Sequence, residues 1–182
     1  MPVEPRRFYV RITGVIVVVL LSVSSALAGA LHDCAVAYDR QDYVLALRLC
    51  RPLAEQGDID AQTAVGNLYY EGWGVEKNYT SAANWFRKAA EQGDATGQFS
   101  LGWAYEQGDG VLQDYVLAHM WYNLAAAQGA GVAAKDRDKV AAKMTPDQIA
   151  EAQRLATEWK PTSSAPTSRR ARTDCARALM PA

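Results

Sequence analysis

The residue types that ordinarily carry catalysis or metal binding are sparse in this chain of 182 residues. Its two histidines, His32 and His119, lie far apart, and there is no Cys-x-x-Cys. Zinc sites draw on Cys and His at short spacing, so neither histidine is expected to be a ligand or a base. His119 falls on what reads as a helix surface, and His32 lies near the start of the folded part. The glycine-rich stretches "GWGVEK" (72–77) and "GDGVLQ" (108–113) lack the Gly-Lys-Ser/Thr of a phosphate loop and the third glycine of a dinucleotide loop. They read as turns between helices. Carboxylates are plentiful but scattered. Asp42 and Asp114 hold the position that Asn78 fills, and an amide there rules out a required charge. Helix N-capping suits all three, and the formal glycosylation sequon "NYT" at 78–80 coincides with that cap. No catalytic residue, metal or cofactor is therefore expected.

The elements that would position a site are legible from internal repetition. Residues 62–93 laid over 98–129 without gaps agree at 13 of 32 positions, where unrelated chains share ~2. Each unit reads as two helices. Ala61, Val65, Leu68 and Tyr69 recur at helical spacing in the first. In the second, Ala82, Trp85, Ala89 and Gln92 form one stripe. Small residues at Gly66/Gly102, Ala82/Ala118 and Ala89/Ala125 let helices approach closely, while Trp85/Trp121 and Tyr69/Tyr105 supply large buried area. The phrase "AEQGD" (54–58, 90–94) returns as "AAQGA" (126–130) and ends each second helix. A degenerate unit precedes these at 31–58. Two closing helices follow in 131–160: one over 132–144, then one capped by Thr145, Pro146 and Gln148, with Ile149, Ala152, Leu155, Ala156 and Trp159 as its apolar face. Such a pair would shield the last apolar surface of a stack. The fold class is all-α, an α-solenoid of stacked helix-turn-helix units (59–94 and 95–130 the clearest).

"AVGNLYYEGWGVEKNYTSAANWFRKAAEQGD" and "SLGWAYEQGDGVLQDYVLAHMWYNLAAAQGA" closely resemble the Sel-1-like repeat, a relative of the tetratricopeptide repeat, over about residues 42–159. The resemblance implies an adaptor that binds other proteins, and exported bacterial members look like scaffolds or regulators of the cell envelope. Some cysteine-rich secreted members have been described as binding or slowly hydrolysing β-lactams. Here neither Ser-x-x-Lys nor Lys-Thr-Gly is present, so a weak envelope hydrolase is the lesser alternative.

Positions that agree between units serve the scaffold, and exposed positions that differ are free to specialise. On the first helices the differing pairs are Thr63/Phe99, Asn67/Trp103, Tyr70/Glu106 and Glu71/Gln107. First helices usually line the concave face of such stacks, so Asn67, Tyr70, Phe99, Trp103 and Glu106 are the candidate partner-binding residues. Trp103 is the sharpest of them, because a tryptophan beyond the packing stripe suits a binding hot spot. Its alternative role is packing against the next helix pair.

The ends of the chain differ from its centre. Residues 1–30 combine Arg6, Arg7 and Arg11 with a short apolar run and the small-x-small sites Ala26-Leu27-Ala28 and Ala28-Gly29-Ala30. They read as a signal peptide, with an uncleaved anchor as the alternative; the rest is expected to be exported to the periplasm or beyond. Export permits disulfides. Cys34 and Cys50 fall on the two helices of one hairpin, where they either pair or serve as small buried hydrophobes; Cys175 stands apart. Residues 31–160 hold 12 Lys+Arg against 18 Asp+Glu, an acidic body that argues against nucleic-acid binding. Residues 161–182, with Arg169, Arg170, Arg172 and Arg177, read as a disordered basic tail.

Overall fold

The computed structural model describes residues 29–162, and every regular element among them is a helix. Helix α1 covers 29–39. It is followed by α2 (Tyr43–Glu55), α3 (Ile59–Glu71), α4 (Tyr79–Glu91), α5 (Ala95–Gln107), α6 (Tyr115–Ala127), α7 (Gly131–Ala141) and α8 (Pro146–Glu158). Residues 1–28 of the segment expected to be a signal peptide and residues 163–182 of the expected basic tail, Cys175 among them, lie outside the described residues; residues 29–30 belong to α1.

Each repeat starts and stops by the same local chemistry. The carboxylates of Asp42, Asp58, Asp94 and Asp114 and the amide oxygen of Asn78 accept backbone N–H bonds from the first turns of α2, α3, α5, α6 and α4, satisfying donors that a helix N-terminus leaves open. The Asp of "AEQGD" is thus the cap of the next helix. Gly93 of the same phrase turns the chain at φ 92°, in the left-handed region that glycine adopts without penalty. Its Gln joins neighbouring repeats. Gln92 Nε2 donates to the Gly57 carbonyl (3.2 Å) and to Gln62 Oε1 (2.8 Å), and Gln62 Nε2 donates to the Ala54 carbonyl (3.1 Å). One repeat on, Gln128 makes the same bonds to Gly93 (3.0 Å) and Gln98 (2.8 Å), and Gln98 reaches Ala90. The buried amides of Gln62 and Gln98 are satisfied in this way, and Gln92 and Gln128 each tie their own repeat to the end of the preceding one.

Packing departs in three places from the sequence expectation. The stripe of α4 and α6 is centred on Phe86 and Tyr122, both buried, while Trp85 is only half-buried. The reason is Gly66 and Gly102. A Cβ on either would stand 2.5 Å or 2.8 Å from the Phe86 or Tyr122 ring, so the missing side chains are the seats of these rings. His119, expected on a helix surface, is 3% exposed, because the face of α6 that carries it packs under α7. The closing helices do not both cover the end of the stack. Helix α7 covers it, burying Ala133 and Val140 against Ala118, Tyr122 and Ala125. Helix α8 carries the expected capping box but folds back along α6. Its Trp159 meets Trp121 edge-on at 6.0 Å, and Thr162 donates from its N–H and its hydroxyl to the Glu91 carbonyl.

At the other end, Cys34 and Cys50 form a disulfide between α1 and α2, with Cα atoms 5.1 Å apart. Both are buried beside Ala37, Ala46, Leu53 and Leu68. Trp73, in the α3–α4 loop, stacks on Tyr43 at 4.7 Å and meets Tyr38 edge-on, tying the degenerate first unit to the second.

Candidate protein-binding pocket

Helices α3 and α5, the first helices of successive repeats, run side by side with α4 beneath. An open pocket of about 330 Å³ lies between them, lined by Asn67, Tyr70 and Glu71 of α3, Phe86 of α4, and Phe99, Ser100 and Trp103 of α5. Four of the five expected binding residues, Asn67, Tyr70, Phe99 and Trp103, therefore meet at one place.

The fifth does not. Glu106 is 9% exposed. Its carboxylate accepts from the Tyr122 hydroxyl (3.0 Å) and pairs with Lys143 at 3.0 Å, so it braces α5 against α6 and the chain beyond α7. The physical reason is an exchange between repeats. The second repeat has Tyr70 above Phe86 and the third has Glu106 above Tyr122, so the hydroxyl that Phe86 lacks is supplied from the facing helix in one unit and met by a carboxylate in the other. Phe86 and Ser100 were not foreseen as lining residues. Phe86 was detectable only by similarity, as an aromatic position shared with Tyr122, because comparison by identity passes it over.

The walls of the pocket are fixed by hydrogen bonds. Trp103 is 39% exposed, and its indole N–H donates to the Tyr70 hydroxyl at 2.9 Å, which in turn donates to Asp109 at 2.8 Å. Burial first, and the Asp109 carboxylate second, push the Tyr70 hydroxyl up to about 12, against a smaller opposing pull from the Trp103 N–H. It stays protonated and keeps both bonds. Asn67 faces Tyr38 of α1, whose hydroxyl burial also pushes up to about 12. Tyr79 closes the Tyr70 side, edge-on at 5.1 Å, and the Phe99 ring lies 5.6 Å from Tyr122. Glu71 is the one carboxylate among the lining residues, and Ser100 has no histidine or lysine beside it in the lining. Such a surface can bind and orient; its lining has no base–nucleophile pair. Among the described residues there is no cluster of His, Cys, Asp and Glu able to hold a metal ion.

A family model described as the Sel1 repeat matches residues 37–58, 59–94 and 95–129. Among solved structures, the crystal structure of c5321, a protective antigen present in uropathogenic Escherichia coli strains and displaying an SLR fold, is similar with a TM-score of 0.69 and 31% identity, over 73% of this chain and 29% of that one. A Sel1 repeat protein from Oxalobacter formigenes is 42% identical over 47% of this chain and 65% of that one, with a TM-score of 0.46. This chain thus spans less than a third of the c5321 chain. A search of curated proteins returns no match.

Proposed function

Since this chain belongs to the Sel1-repeat family, whose repeats are generally protein–protein interaction modules, we propose that it is a non-catalytic scaffold or adaptor that holds a partner protein in the α3–α5 pocket. One observation carries the reading. The positions on which the two full repeats agree build the scaffold, whereas Asn67, Tyr70, Phe99 and Trp103, on which they differ, converge on one aromatic pocket. Exposed aromatic anchors held by a rigid frame are the usual core of a binding hot spot. The partner is expected among envelope proteins and the working compartment is the periplasm. The basic and apolar N-terminal segment supports that placement. So does the Cys34–Cys50 bond, of a kind that persists in oxidising compartments.

The test is a photo-crosslinking residue at Ser100 in the full-length chain, expressed in its native envelope, with a control at Lys88 on α4. Defined protein adducts at Ser100, absent at Lys88 and lost on Trp103→Ala, are expected. Adducts that persist in Trp103→Ala, or none at Ser100, would overturn the proposal.

A further inference from the structure

The charge in the lining of the pocket has one sign. Glu71 lines it, and Asp109 stands at its edge holding Tyr70. Helices α3 and α5 both end here, at Gly72 and Gly108, and the carbonyls of a helix C-terminus carry partial negative charge that favours cations. No Lys or Arg is in the lining. The protein's own cations sit over other rings: Lys88 lies 4.0 Å from the centre of Trp85, Arg51 5.7 Å from Tyr69, and Lys143 5.3 Å from Tyr115. Lys77, next along the α3–α4 loop, stands 5.5 Å from the Tyr79 ring, outside the lining. Among the described residues, no such pair involves Phe86, Phe99 or Trp103. The pocket is therefore an aromatic, acid-edged recess with no cation among its lining residues.

We propose that its occupant is an arginine side chain of the partner polypeptide, with the guanidinium against the aromatic lining and Glu71 as its counter-ion. This rests on the protein-binding reading above and names the chemistry that the pocket selects. A volume of about 330 Å³ is at the lower end of ligand-pocket sizes, ~300–1,000 Å³, and suits one long side chain with its neighbours. A planar guanidinium stacks on aromatic rings and meets a carboxylate with two N–H groups at once, which an ammonium cannot do. The acidic balance of residues 31–160 also draws a basic segment toward this surface.

The test uses three blocked heptapeptides, Ala-Gly-Ala-Xaa-Ala-Gly-Ala, with arginine, norleucine or glutamate at the centre. They are titrated into the folded chain while NMR follows the Trp103 indole N–H (assigned with Trp103→Phe) and the Ser100 amide. The arginine peptide is expected to shift both signals and to bind at least fivefold more tightly than the norleucine peptide, with the glutamate peptide silent. Glu71→Gln, a change at an exposed helix end, is expected to weaken the arginine peptide at least fivefold while leaving the dispersion of the spectrum intact. Equal binding of arginine and norleucine, no effect of Glu71→Gln, or no shift with any peptide each overturns the assignment. Those outcomes combined with crosslinks that Trp103→Ala abolishes would reject the cation and retain the binding module. Crosslinks that survive Trp103→Ala reject the module itself.

Discussion

At position 103 the third repeat places an indole where the second has the Asn67 amide, and the indole is held by a bond to the Tyr70 hydroxyl, itself anchored on Asp109. A side chain fixed in this way loses little freedom on binding. Trp103→Ala is therefore expected to lower partner affinity at least ~30-fold, the equivalent of a hot spot worth ~2 kcal/mol or more, while shifting the thermal midpoint by no more than about 3 °C. Tyr70→Phe removes both bonds and keeps the ring, and a smaller loss of affinity, with little loss of stability, should appear in the same binding assay. His119 is a separate residue-scale case. It is buried with Nδ1 unpartnered, and burial first, then the Arg137 charge, pull its pKa below the ordinary 6.5. The unfolded chain thus takes up a proton that the folded one refuses. Stability from this source is present above pH 6.5 and falls as the pH drops below it, by at most ~1.4 kcal/mol per pH unit. Urea melts between pH 7.5 and 5 should show that slope, and His119→Ala should flatten it. Neither the burial of His119 nor the internal bonds of Glu106 was legible in the sequence. The first depends on which face of α6 meets α7, and the second on the α5–α6 contact at Tyr122 and on where the chain beyond α7 places Lys143.

Helices α2 to α6 were readable because each is specified locally, by an Asp or Asn cap, a glycine at or just after its end and apolar residues at helical spacing. Their partners were less so. Comparison of repeats by identity found Gly66 and Gly102 but passed over Phe86 and Tyr122, the rings those glycines receive, since the aromatic differs between copies. The pairing has a measurable consequence. Gly102→Ala places a methyl 2.8 Å from the Tyr122 ring and 3.3 Å from the Ala118 carbonyl, and overpacking of this kind costs ~1–3 kcal/mol. Gly110→Ala should cost more. Its backbone is left-handed at φ 73°, and a Cβ there would lie 2.2 Å from the Tyr79 carbonyl oxygen, which cannot move without unseating the start of α4. Chemical denaturation of the two variants should rank them in that order, and the reverse order would contradict the close approach of the α5–α6 loop to α4.

On the scale of the whole molecule, stability is shared between neighbours, as in stacked repeats generally, and the two ends are secured by different means. The N-terminal end depends on the Cys34–Cys50 bond. A bridge closing a loop of this size removes ~3 kcal/mol of unfolded-state freedom on the chain-entropy account, so melts with and without reductant should differ by roughly that amount. Because Tyr38 of α1 faces Asn67 of the pocket, reduction should also weaken partner binding in the same crosslinking assay. Disulfide formation was left open by the sequence, which placed both cysteines on one hairpin without fixing their distance. The fold-back of α8 was not legible, since its apolar face suits the flank of the stack as well as its end. The α8 arrangement bears on how such a protein can change its length. The helix grips Trp121 by its side chain, but Thr162 holds only a backbone carbonyl, that of Glu91, and any residue offers one. A duplicated unit inserted after residue 130 would present the same tryptophan and an equivalent carbonyl to the same clasp. Helix α8 therefore sets no repeat number, and the stack can gain units by internal duplication while keeping the same clasp.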